Sequence, residues 1–167
     1  MLVDIVGENR NMLEDQLEKI CVFLIKEKKI TIESIQQVSS ELKQFNIFDL
    51  QNAIGLKDKG KSLTVAYNLL DNGAEPTFII TMLTRYFTGL AKIIELQTKN
   101  IPIQEAARIV GTHHFYYPNY VKARKLYSDE KLVEVFRALL KADVSVKTTT
   151  SDNKTIIALL IAEILHN

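Results

Sequence analysis

Apolar residues recur along this chain at three- and four-residue intervals, the period of an α-helix with one buried face. Leu13, Leu17, Ile20, Cys21 and Leu24 form the first such stripe, in a helix predicted to begin near Glu8 or Asn9. Glu14, Asp15, Glu18 and Lys19 occupy its other faces. The run KEKK at 26–29 ends it, because positive charge is favourable beside free helix carbonyls. Thr31 is placed to cap a short second helix carrying Ile32, Ile35 and Val38. SSELKQ, residues 39–44, is polar and reads as a hinge between two modules, and FNIFDLQNAI, residues 45–54, as a third short helix beyond it.

Residues 55–62 read as a loop of glycine and lysine. A helix with Leu63, Ala66, Tyr67 and Leu70 on one face follows, and Asp71, Asn72 and Gly73 stop it. Pro76 opens the longest helix, since the first amide of a helix has no internal partner to lose. TFIITML alone has strand propensity. Its continuation through Ile79, Met82, Leu83, Tyr86, Leu90, Ile93 and Ile94 keeps the helical period far beyond a strand's length. Pro102 opens a short helix with Ala106, Ile109 and Val110, closed by Gly111, and Pro118 opens another with Tyr120, Val121 and Arg124. Ser128 caps a long helix through Leu132, Phe136, Leu139 and Leu140. After the polar loop TTTSDN, residues 148–153, Ile156, Ile157, Leu160, Ile161, Ile164 and Leu165 form a final amphipathic helix. The pattern predicts about nine helices and an all-α fold.

Composition narrows the function classes. Lys and Arg number 21 against 20 Asp and Glu, so no global field draws the chain to nucleic acid or to an anionic membrane. Cys21 is the only cysteine, which excludes a disulfide framework and a thiolate metal site and reads as a small core residue in a reducing, cytoplasmic setting. No run approaches the roughly 18 uninterrupted apolar residues of a membrane span, and the opening residues lack the basic flank and apolar run of a signal peptide.

One motif carries chemistry by pattern. Gly55, Gly60, Lys61 and Ser62 fit G-x-x-x-x-G-K-[ST], in which backbone amides cradle phosphates, the lysine reaches the outer phosphates and the serine holds magnesium. That geometry needs a parallel strand feeding the loop. The preceding segment is helical in period, so the match reads as a coincidence in an inter-helix loop, and no cofactor is expected. His113 and His114 are adjacent, so on a regular element they would point apart rather than share a metal as residues three or four apart do. No metal site and no catalytic residue is expected. Residues 104–125 offer a short helix, a turn with Gly111 and a second helix with Lys122, Arg124 and Lys125. That arrangement is a candidate helix-turn-helix DNA reader, the main alternative to a packed helical hairpin with Phe115, Tyr116 and Tyr117 as packing residues. Asp143 and Lys147 read as helix termination.

Segments spread over the whole chain share the order of a known family. LEDQLEKI at 13–20 followed by KKITIESIQQV at 28–38 is similar to a helix pair with an N-E-x-E-K-L-like signature, with Asp15 and Gln16 departing from it and Glu18, Lys19 and Ile20 keeping it. FNIFDLQNAI resembles F-x-L-x-D-A-I at a module junction, and TRYFTGL at 84–90 resembles R-x-F-R-x-L, with Thr88 replacing an arginine. ARIVGTHHFYYPNYVKAR is similar to a short helix, an L-G-I-H-P-F-like turn and the helix after it. ALLKADVSVKT at 138–148 resembles L-x-x-A-D-x-x-I-K-T-G, with Thr149 in place of the glycine. In order and spacing the chain resembles the C-terminal portion of the bacterial DNA polymerase III delta subunit, part of the sliding-clamp loader.

The resemblance implies a helical lid module over residues 1–40 and a helical collar over 41–167. It implies a non-catalytic scaffold whose partners are the delta-prime and motor subunits, with DNA reached only through the complex. Contact with the sliding clamp would belong to an ATPase-like N-terminal domain. Such a domain makes the family's full chain about twice as long, so this sequence is expected to be a fragment. The Arg85–Leu90 face, with Arg85, Tyr86 and Leu90, is the expected partner surface.

Overall fold

The computed structural model of the protein describes Glu14, Glu18 and residues 45–166. Glu14 and Glu18 are helical and exposed, as the polar side of the first stripe requires. The rest of that stripe with Cys21, the 26–29 lysine run, the Thr31-capped helix and the 39–44 hinge lie outside the described residues, as does the expected 40/41 junction. The chain divides into two compact units, residues 1–46 and 47–167.

The second unit is all α. Its helices are α1 (Ile47–Gly55), α2 (Lys59–Asp71), α3 (Pro76–Thr98), α4 (Ile103–Val110), α5 (Tyr117–Arg124), α6 (Asp129–Thr148) and α7 (Asn153–Leu165). No strand occurs among the described residues. The starts of α2, α6 and α7 are set by side-chain caps. The Asp58 carboxylate accepts the Lys61 amide at 2.9 Å, Ser128 Oγ accepts the Lys131 amide at 3.1 Å, and Asp152 accepts the Thr155 amide at 3.0 Å. Each satisfies one of the orphan donors of a first turn, an interaction worth about 1 kcal/mol. Gly73 (φ 85°) and Gly111 (φ 81°) close α2 and α4 in the left-handed region where glycine carries no side-chain penalty.

Packing follows from these faces. The succession α1, α2, α7, α6, α3 closes back on α1, each helix touching the next, and α4 and α5 pack on α3. Ile79, Leu83, Phe87, Leu90 and Ile93 give α3 a fully buried face. By length and composition α3 would pass for a membrane span, with a mean hydropathy of 1.2 over its most apolar stretch. Arg85, Lys92, Thr81 and Thr88 stand exposed on its other side, and its apolar face is filled by neighbouring helices, as in the central helix of a bundle. A smaller cluster of Ile93, Leu96, Ala106, Ala107, Val110 and Tyr117 ties α4 and α5 to the end of α3.

Three local expectations are corrected. The loop expected over 55–62 shrinks to residues 56–58, because the Asp58 cap starts α2 at Lys59. The α2 stripe is rotated: Ser62, Val65, Ala66 and Leu69 are buried, because α2 lies between α1 and α7. Tyr67 is left at the edge, with Lys154 Nζ 5.9 Å from its ring centre. Thr148 belongs to α6 rather than to the loop.

The tightest approach is at the end of α1. A Cβ on Gly55 would clash with Tyr86 Oη and stand 3.1 Å from Ala123 Cβ. Gly55→Ala is therefore expected to destabilise the fold by about 1–3 kcal/mol in chemical denaturation, as overpacking does. Adding Tyr86→Phe removes the clashing oxygen, so the double variant should be more stable than the sum of the two single effects.

Candidate functional site

Thr81, Arg85, Thr88 and Lys92 fall on one line along the outer face of α3. Thr81, Thr84 and Thr88 each donate their hydroxyl to a carbonyl four residues back, at 2.7–2.8 Å. Their hydroxyls are engaged with their own helix, so each also offers a methyl group outward. Across from them α6 brings Phe136 and Leu140, and the end of α4 brings Ile109 and Gly111. Together they enclose an open groove of about 660 Å³. Leu140 on its rim is 66% exposed, and Val133 and Val144, half exposed, extend an apolar ridge along α6. The left-handed turn at Gly111 carries the chain beneath Arg85, whose Nη2 lies 3.4 Å from the Gly111 carbonyl. Asp143, also lining the groove, is paired with Lys147 at 2.7 Å. Arg85 and Lys92 form no ion pair among the described residues, so the groove's uncompensated charge is positive.

The expected partner residues divide. Arg85 is exposed at this groove, but Tyr86 and Leu90 are core residues, at 3% and 0% exposure. Tyr86 packs edge-on against Phe87 at 5.4 Å and Tyr120 at 4.8 Å. The helical period turns its side chain inward, about 100° from Arg85, so neither Tyr86 nor Leu90 is free for a partner.

The P-loop pattern has the wrong architecture. Gly55 ends α1 and packs against Tyr86, while Gly60, Lys61 and Ser62 lie in the first turn of α2. Ser62 is fully buried, and its hydroxyl donates to the Asp58 carbonyl at 2.6 Å. The Asp58 carboxylate takes the Lys61 amide that a phosphate would need, and no strand feeds the turn.

The histidines lie in the turn that Gly111 opens, off any regular helix. They are exposed, with ring centres 4.1 Å apart and planes tilted by 39°. Among the described residues no group of three or more His, Cys, Asp or Glu is placed to hold a metal ion. Phe115, expected to pack, is 74% exposed, whereas Tyr117 is buried.

Residues 104–125 form a packed hairpin rather than a helix-turn-helix. Residues 111–116 separate the helices, and α5 buries Tyr117, Ala123 and Arg124 against the bundle instead of presenting a reading face. Arg124, expected on a basic surface, is 7% exposed. Its Nη1 donates to the Tyr127 carbonyl and its Nη2 pairs with Asp129, while Nε has no partner. The turn after α5 and the start of α6 hold it there, and no local pattern signals that.

The sequence profile of the C-terminal domain of the DNA polymerase III delta subunit matches residues 44–164. The DNA polymerase III subunit delta of Bacillus subtilis is 23% identical over 98% of this chain and 47% of its own. The probable DNA polymerase III subunit delta of Aquifex aeolicus is 25% identical over 90% of this chain and 44% of its own. The chain thus spans about half the length of the curated relatives it matches. The solved structure of the Bacillus subtilis DNA clamp loader delta protein superposes with a TM-score of 0.72 at 22% identity, over 99% of this chain and 49% of that one. The likeness shows a shared fold.

Burial raises the phenol pKa values of Tyr86 and Tyr127 well above the ordinary 10.0. The unfolded chain therefore releases these protons at a lower pH than the folded one. The stabilisation is fully present below pH 10 and is lost as pH rises beyond it, by up to about 1.4 kcal/mol per pH unit for each group. Alkaline unfolding monitored by circular dichroism should set in above pH 10 and become shallower in Tyr127→Phe. At neutral pH that variant should lose about 1–2 kcal/mol with its hydrogen bond to the Ile54 carbonyl.

Proposed function

The chain belongs to the family defined by the C-terminal domain of the DNA polymerase III delta subunit, and from that premise we propose that it is a non-catalytic scaffold of the bacterial clamp loader. In this reading residues 41–167 act as a collar and residues 1–40 as part of a lid. The collar packs beside the collars of the delta-prime and motor subunits in the cytoplasm. It holds their ATPase modules in position, performs no reaction itself and reaches DNA only through the complex. Contact with the sliding clamp is assigned to the family's N-terminal ATPase-like domain rather than to these helices.

The observation that carries this reading is the groove between α3 and α6. It is apolar, preformed on packed helices and bordered by Leu140, which has no covering group within the described residues. Rigid helical faces with uncovered apolar residues suit assembly, because little side-chain order has to be gained on association.

Mixing the chain with the other loader subunits of its own organism provides the test. Size-exclusion chromatography with light scattering should show it entering the complex at micromolar concentration. A chain that remains separate from all of them rejects the scaffold role.

A further inference from the structure

We propose that the groove between α3 and α6 seats an amphipathic helix of another loader subunit, one with acidic residues beside its apolar stripe. The inference rests on the scaffold reading and deepens it by naming the face and the chemistry of what covers it.

Three features of the groove select this occupant. At about 660 Å³ and open to solvent, the groove has room for the side chains of a helix face rather than for an enclosed small molecule. Beside the groove, the ridge along α6, of which only Leu140 belongs to the groove's lining, runs Val133, Leu140, Val144, a spacing of seven and then four residues, with Arg137 exposed between the first two. That is the rhythm of a helix surface that meets another helix along a seam. The α3 wall adds threonines whose hydroxyls already bond to their own helix, so covering them leaves no donor unmet.

Charge sets the partner's polar edge. Asp143 is neutralised by Lys147, whereas Arg85 and Lys92 have no ion pair among the described residues. A glutamate or aspartate on the incoming helix would satisfy them and fix its register. A second copy of the same face would bring these cations together, which disfavours a symmetric dimer through this groove. Duplex DNA would meet two cations flanked by apolar walls, a poor match to a phosphate backbone.

The experiment uses the full chain and the remaining loader subunits, with Leu140→Glu, Arg85→Glu and, as control, Leu159→Glu. Leu159 is 59% exposed on α7 and lies outside the groove. All three positions are exposed, so circular dichroism spectra and melting temperatures should match the parent. Leu140→Glu and Arg85→Glu should weaken entry into the complex by about tenfold or more, with Leu159→Glu unchanged. Equal assembly of all four proteins overturns the groove while leaving the scaffold reading intact. A parent chain that never enters the complex defeats both. The groove assignment also falls if Leu140→Glu instead breaks a homodimer, or if Arg85→Glu instead abolishes duplex DNA binding.

Discussion

The Ile54 carbonyl, at the end of α1, accepts a hydrogen bond from Tyr127 Oη at 2.6 Å and another from the Lys57 amide at 2.9 Å. Tyr127 thereby links the last turn of α1 to the segment that joins α5 to α6. The bond joins residues 73 positions apart and brings three helices to one point. The aromatic rings follow from it: Phe87 lies edge-on to Tyr127 at 5.4 Å, and Tyr86 reaches Gly55 beside it. Gln51, buried one turn earlier, donates to the Met82 carbonyl at 3.0 Å and pins α1 to the middle of α3. A buried phenol and a buried amide, each satisfied, thus tie the short α1 to the α5–α6 segment and to the long α3.

Where the sequence was legible, one physical signal was repeated over many turns. The period of α3 through Ile79, Leu83, Leu90 and Ile93, and that of α7 through Ile157, Ile161 and Ile164, is long enough to outweigh local strand propensity. Caps were legible where the residue type allows little else, as at Ser128 and Gly111. Short elements were not. α2 presents apolar residues on adjoining faces, so Val65 and Leu69 or Tyr67 and Leu70 could equally have turned inward, and only the neighbours α1 and α7 decide. Gly60 and Lys61 read as loop residues because the cap that turns them helical is a single carboxylate, Asp58.

The candidate site was legible only as a neighbourhood. TRYFTGL lies on the stretch of α3 that lines the groove, but helical rotation separates its residues: Arg85 faces outward while Tyr86 and Leu90 face inward. The other wall comes from α6, some fifty residues later, and no local pattern announces that pairing. Arg124 shows the same limit from the opposite side. It reads as surface charge, yet its guanidinium lies under the start of α6, held by a main-chain oxygen and the Asp129 carboxylate.

The threonine row on α3 bears on how the proposed docking face can stay exposed to water without a partner. A face made of leucines would attract unfolded chains and aggregates in a crowded cell. A face made of free hydroxyls would hold its water and resist being dried. Thr81, Thr84 and Thr88 are neither: polar enough to stay wetted alone, with hydroxyls already anchored to their own backbone, they surrender that water without stranding a donor. The surface can therefore be wetted and dried repeatedly with little penalty, which suits the reversible docking proposed for it.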